Sequence, residues 1–165
     1  MPDHTYLGID PGKNGGIASI HCGVAAAAPM PATERDVWNL LLSCIPQAQS
    51  VRTGNITAVI EKVGGFVGGN PLPGSAMFNF GASYGGLRMA LIAAGIPFIE
   101  VTPQRWQKAL GIPPRKKTES KTAWKNRLKA LAQQQFPKVD VTLKTADALL
   151  IALYCSLGPL NRSDE

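Results

Sequence analysis

The sequence predicts a single α/β domain built on a mixed sheet, and three observations carry that prediction. The chain is 165 residues long, the size of one ordinary domain. Its composition, 45% hydrophobic against 17% charged, supplies a core without staples and argues against disorder. Its β-rich runs come first, three in succession, and then alternate with helical patterns.

Each element has its own justification. His4 to Asp10 runs apolar in the manner of a strand and stops at Pro11-Gly12, and Gly16 to His21 reads as its hairpin partner across the turn from Asp10 to Gly16. A third short strand near Val24–Ala28 completes a meander. Thr33 is a candidate N-cap for a helix in which Val37, Trp38, Leu40, Leu41 and Ile45 recur at helical spacing. Ile56 to Ile60 is a strand that ends on a carboxylate, Glu61. Gly64 to Gly74 is a Gly/Pro-rich loop, too long for a simple connector. Ser75 to Ala94 is a helix stopped by Gly95, and Pro97 to Val101 is another strand. Pro103 opens a short helix to about Leu110, and Ile112–Lys117 is a basic, proline-containing linker. Thr118 or Ser120 starts a long helix that Phe136-Pro137 ends after Gln135. Val139 to Leu143 reads as extended, and Thr145 to Leu157 as the last helix. There is neither a repeat nor an internal boundary, so residues 1–165 are expected to form one domain.

The longest apolar run, Ala148 to Leu157, falls far short of the ~20 residues of a membrane span. No charged-then-apolar leader opens the chain. Cys22, Cys44 and Cys155 are scattered without CxxC spacing, which argues against a zinc ribbon or disulfide framework and for reduced thiols in a cytoplasm. Neither histidine, His4 or His21, has metal-ligand company in the sequence, and both are expected to be incidental.

Charge is uneven. Residues 1–99 are balanced, whereas residues 102–138 hold ten Lys and Arg against Glu119 alone. A segment this basic concentrates a polyanion and makes its binding salt-dependent. A merely solvated helix face is the competing reading; a membrane surface fits less well, because the segment lacks apolar residues facing the charges. Nucleic acid is the leading partner.

Three carboxylates sit at the margins of core elements: Asp10 and Glu61 at strand ends, Asp147 in the first turn of an apolar helix. Singly, each reads as a turn-former or a helix-dipole charge. Together, with neighbouring strands, they would converge, and close like charges require a compensating cation. Hard oxygen ligands suit Mg²⁺ or Mn²⁺. Beside a polyanion, that set predicts phosphodiester hydrolysis with two metal ions.

At these residues the chain resembles a known family. Leu7-Gly-Ile-Asp-Pro-Gly12, Val59-Ile-Glu-Lys-Val63 and Thr145-Ala-Asp-Ala-Leu-Leu-Ile-Ala152 are similar to the three acidic motifs of RuvC-type Holliday junction resolvases (crossover junction endodeoxyribonucleases). Met77-Phe-Asn-Phe-Gly81 with Tyr84-Gly85, and Val101-Thr-Pro-Gln-Arg-Trp106, resemble the phage-encoded branch in particular. The resemblance runs in order from about Tyr6 to Tyr154. It implies an RNase H-like fold, a homodimer, Mg²⁺-dependent cleavage of branched DNA in a host cytoplasm, and Asp10, Glu61 and Asp147 as metal ligands.

One position departs from the family. Cellular relatives carry Asp or His three residues before the last Asp, where this chain has Lys144. A protonated lysine does not ligate, so the second ion is held more weakly or differently, with Asp140 a doubtful substitute and contact with the scissile phosphate a role for Lys144 itself. The family's phosphate-stabilising lysine has two candidates on one helix face, Lys121 and Lys125. Spacing to Asp147 fits Lys125 better, while Lys121 follows a serine that often accompanies such motifs. Lys62, Arg105, Arg115, Lys116, Lys117, Lys121, Lys125 and Lys144 are the expected DNA contacts, with Phe66 in the Gly-rich loop as a wedge at the branch point. Phe78, Phe80 and Tyr84 read first as core or dimer packing, and Trp106 and Trp124 as anchors of the basic segment. Two other classes compete with the nuclease: a junction or flap binder that cuts poorly because of Lys144, and a sugar-kinase-like ATPase, which needs two such lobes.

Overall fold

The computed structural model of the chain describes residues 3–45, 55–62 and 73–159. Strands β1 (Thr5–Asp10), β2 (Gly16–His21) and β3 (Val24–Pro29) form the antiparallel meander. On the other side of β1, strands β4 (Ile56–Glu61) and β5 (Phe98–Val101) extend the sheet in parallel, giving the order β3-β2-β1-β4-β5. Among the described residues, five helices flank it: α1 (Glu34–Ser43), α2 (Gly74–Ala93), α3 (Pro103–Ala109), α4 (Lys121–Gln135) and α5 (Ala146–Ser156). The predicted mixed five-stranded α/β architecture is the observed one. No described helix is long and apolar enough to cross a membrane.

Strand alternation sorts side chains into two cores. Leu7, Ile9, Ala58 and Ile60 face α1 and α2, where Leu41, Leu87 and Leu91 meet them. Val59 and Val101 face the other way, against Trp106, Trp124, Leu128 and the buried length of α5. Nine of the eleven residues of α5 are buried, because the helix lies between the sheet and α4. It rests directly on β1: a Cβ at Gly8 would collide with the Ala148 carbonyl and the Ala152 backbone. Glycine below and alanines above thus bring helix and strand close, at the level of Asp10 and Asp147.

Local signals explain the helix ends. The Thr33 hydroxyl accepts the Asp36 N–H at 3.1 Å, and the Ser120 hydroxyl accepts the Ala123 N–H at 3.0 Å. Of the two starts considered for α4, Ser120 is therefore the cap. Val139 to Leu143 has no place in the sheet. Its alternation instead buries Val141, with Val139 partly covered, in the core beneath α4 and α5. The Thr142 N–H then folds back to the Thr145 hydroxyl at 2.9 Å.

Candidate active site

The sheet register brings the carboxylates to one end. Ile9 pairs with Ile60 in the parallel ladder, so Asp10 and Glu61 follow as neighbours at the C-terminal ends of adjacent strands. Both lie on the α5 face, two residues beyond Gly8 and Val59 respectively. Asp147, 5% exposed in the first turn of α5, lies near enough for its charge to act on both. The Lys125 ammonium donates to Asp147 Oδ2, while Asp147 Oδ1 is buried without a hydrogen-bond partner. Glu61 Oε2 accepts the Trp106 indole N–H at 2.8 Å, and Trp106 itself is fully buried.

The electrostatics follow from that crowding. Burial pushes the Asp10 carboxyl well above the usual carboxylate range, and the Glu61 and Asp147 charges push further, with Lys125 opposing. Burial raises Glu61 to about 7; the Trp106 hydrogen bond pulls it down, Asp147 raises it and Lys125 lowers it. For Lys125, burial favours the neutral amine, but Asp147, Asp10 and Glu61 outweigh it and the pKa rises. The cluster is therefore short of positive charge, and one lysine supplies part of it.

The donor set fits a hard divalent cation. The three carboxylates act on one another's charges, two of them hold raised pKa values, and a buried Asp147 oxygen lacks a partner, while their oxygens do not all lie within 4.8 Å of one another, so an ion would draw them closer. Asp10, Glu61 and Asp147 are the residues that would hold it.

The predicted cations differ in burial, and Lys125 is in contact with the cluster. Lys125, half-buried, makes the contact with Asp147; Lys121 lies one turn earlier and exposed. Lys62 follows Glu61 and Lys144 precedes α5, both exposed, and Arg105 is the exposed neighbour of Trp106. Arg115, Lys116 and Lys117 are exposed in the segment leading to α4. Asp140 is also exposed, in the loop before α5. Glu119, the lone acid of the basic segment, is occupied by Arg127 at 3.1 Å and 2.9 Å. Arg127 also donates to the Pro113 and Pro114 carbonyls and stacks 4.4 Å from the Trp124 ring centroid, so it fastens the linker to α4. Phe66 and nearly all of the Gly-rich loop lie outside the described residues. Phe80 lies against the turn after Asp10, Tyr84 packs with the α1–α2 core, and Phe78 is 75% exposed.

Two features escape the sequence reading. Trp106 reads there only as an anchor, whereas its N–H holds a carboxylate of the cluster. His21 does have ligand company, contrary to the expectation from sequence: among the described residues, Asp3, His21 and Cys22 present ligand atoms within 4.8 Å of one another. His21 and Cys22 are adjacent in sequence, and the pairing of Thr5 with His21 brings Asp3 beside them, a proximity the His-Cys pair alone does not announce. The signal was the Cys22-Gly23 pair, a two-residue turn between two strands.

Comparison with known proteins places the fold. No family model and no curated protein matches the chain. Two solved structures of RuvC from Thermus thermophilus match at probability 1.00. One, in complex with a Holliday junction substrate, has a TM-score of 0.56 at 16% identity, over 91% of each chain. The other has a TM-score of 0.51 at 16% identity, over 91% of this chain and 92% of that one. The chain thus has a RuvC-like, RNase H-like fold.

Proposed function

We propose that the chain is a metal-dependent endodeoxyribonuclease that binds branched DNA and resolves four-way junctions by paired phosphodiester hydrolysis, leaving 5′-phosphate and 3′-hydroxyl ends. The carrying observation is that the Asp10, Glu61 and Asp147 charges act on one another and on Lys125 at the ends of adjacent strands, with the exposed Lys62 and Lys144 next to Glu61 and α5 along the chain. The likeness to a RuvC that holds a Holliday junction supports the same substrate class.

Divalent ions held by the three carboxylates, Mg²⁺ with Mn²⁺ as substitute and two per site, would supply Lewis acidity and a water acidified for attack. The protein's own residues do the rest. Trp106 orients Glu61 and keeps one of its oxygens committed. Lys125 neutralises Asp147, and its ammonium is the cation of the cluster placed to stabilise charge developing on a scissile phosphate. Lys121 is the second candidate for that contact. Lys62, Arg105, Arg115, Lys116, Lys117 and Lys144 hold phosphates, and Phe66 wedges at the branch. A homodimer would set two such sites on opposed strands. The exposed Phe78, Met89 and Ile92 on one stripe of α2 support pairing between copies. The motif style between the acidic residues supports a phage-type enzyme working in a host cytoplasm.

A second reading, a branched-DNA binder with weak or broad cleavage, is favoured by one observation: the position three residues before Asp147 is the exposed Lys144. One experiment separates them. Labelled four-way junction, flap and linear duplex are incubated with Mg²⁺ or Mn²⁺, beside Asp10→Asn and Lys144→Asp proteins and a binding assay in Ca²⁺. Paired junction nicks that vanish in Asp10→Asn support resolution, and stronger cutting of flaps makes it a broader branch nuclease. Tight binding without cutting in either metal overturns the enzyme, and recovery by Lys144→Asp identifies the cause.

A further inference from the structure

We propose that Asp3, His21 and Cys22 form a zinc site at the opposite end of β1 from the carboxylates. Thr5, where β1 starts, pairs with His21, whereas Asp10 pairs with Gly16. Six strand residues put roughly 17 Å between the two ends, so the clusters are separate.

The geometry is that of a tetrahedral face. Asp3 Oδ1 lies 3.3 Å from His21 Nε2 and 3.7 Å from Cys22 Sγ, and His21 Nε2 lies 3.5 Å from Cys22 Sγ. Zinc bonds of about 2.0–2.2 Å to N and O and about 2.3 Å to S set tetrahedral edges of about 3.4–3.6 Å. All three observed separations fall within about 0.1 Å of that window. The three side chains need little rearrangement to accept an ion, and the fourth corner is left for water.

A group outside the trio orients it. His21 Nδ1 is 3.0 Å from the hydroxyl of Thr5, a residue with no exposed surface. With Nδ1–H donated to that hydroxyl, the Nε2 lone pair points at Asp3 and Cys22, as in histidines whose second nitrogen is held by an outer partner. The thiol is delivered by an uncommon backbone: Cys22 has φ of 48° and Gly23 φ of 78° in the β2–β3 turn. Among non-glycine residues described, Cys22 alone has positive φ.

The chemistry of the donors selects the metal. One sulfur, one imidazole nitrogen and one carboxylate oxygen suit zinc and disfavour Mg²⁺, which takes oxygen. The ion would clip the segment before β1 to the β2–β3 hairpin, stabilising the folded chain by binding it alone.

The test is a cobalt(II) titration of the full-length, metal-stripped protein. One equivalent is expected to give a thiolate-to-cobalt charge-transfer band and tetrahedral d–d absorption, displaced by one equivalent of zinc. Cys22→Ser abolishes the charge-transfer band and weakens zinc binding at least tenfold; Thr5→Val weakens it about tenfold or more. Asp10→Asn leaves the spectrum unchanged. One equivalent of zinc raises the melting temperature of the parent more than that of Cys22→Ser. Should that variant fold poorly, Asp3→Asn, exposed and outside the sheet, tests the same site through a tenfold or greater loss of zinc affinity. The absence of a thiolate band, a band that survives Cys22→Ser, or a thiolate band lost in Asp10→Asn each overturns the proposal.

Discussion

The indole N–H of Trp106 donates to Glu61 Oε2 at 2.8 Å, from a side chain fully buried in α3 to a carboxylate at the end of β4. This bond opposes the burial that raises Glu61 to about 7. Trp106→Phe removes the donor and keeps most of the volume. A hydrogen bond to a charged group contributes about 1.5–3 kcal/mol. The Glu61 pKa is therefore expected to rise by about one to two units, moving the acid limb of the cleavage pH profile upward by as much, with maximal rate restored at higher pH. An unshifted profile excludes Trp106 as the group that tunes Glu61.

Lys125 and Lys121 are separable by substitution. Lys125→Met is expected to lower the cleavage rate constant about 10²–10³-fold, the usual cost of losing a donor to developing charge, while junction affinity in Ca²⁺ changes little. Lys121→Met, exposed and one turn away, is expected to act mainly on affinity. Single-turnover cleavage and equilibrium binding of both variants decide the assignment. Without metal, Lys125→Met also strips Asp147 of its partner, costing about 1–2 kcal/mol after solvent screening.

Stability of the metal-free protein should fall as pH rises. Burial lifts the folded-state pKa of Glu61 from 4.5 to about 7, and that of Asp10 well above its usual value. The folded chain then binds more protons than the unfolded one between these limits, so the slope of unfolding free energy against pH is negative there. The contribution is fully present below the unfolded pKa and lost as pH passes about 7 for Glu61. Urea denaturation at pH 5 and pH 8 checks this. Glu61→Gln is expected to flatten the dependence, and saturating Mn²⁺ to reverse the loss at high pH.

Gly8→Ala should disable the protein from within its core. The added methyl meets backbone atoms of Ala148 and Ala152, which cannot rotate aside. Overpacking of this kind costs about 1–3 kcal/mol or more, and pushing α5 outward moves Asp147 from Asp10. Lost stability in denaturant together with lost cleavage is expected; an unaffected melting curve excludes this account of the α5–β1 contact.

Replacing Arg115, Lys116 and Lys117 together by alanine tests the basic segment. If all three contact phosphates, the slope of log affinity against log salt shrinks by about two to three. Cleavage at saturating protein should persist, since none of the three lies in the carboxylate cluster.

Much of this was legible in the chain order. Apolar alternation marked the strands, and Thr33 and Ser120 marked helix starts because a side-chain oxygen satisfies the first free N–H groups locally. Asp10, Glu61 and Asp147 stood out because ionisable residues interrupt otherwise apolar elements. Extended character in Val139 to Leu143 was a weaker guide: alternation reports one buried face, and here the cover is α4 and α5 rather than a neighbouring strand.

The sequence by itself determined the element order, the two-sided pattern of the strands and the identity of the acidic residues, because these depend on local periodicity and composition. Only the tertiary structure decided which lysine meets Asp147, that Trp106 holds Glu61, and that Asp3 stands beside His21 and Cys22. Those relationships join residues on separate elements. They are set by strand register, by the close seating of α5 over Gly8 and by the β2–β3 turn, and partners brought together by packing leave no periodic trace along the chain.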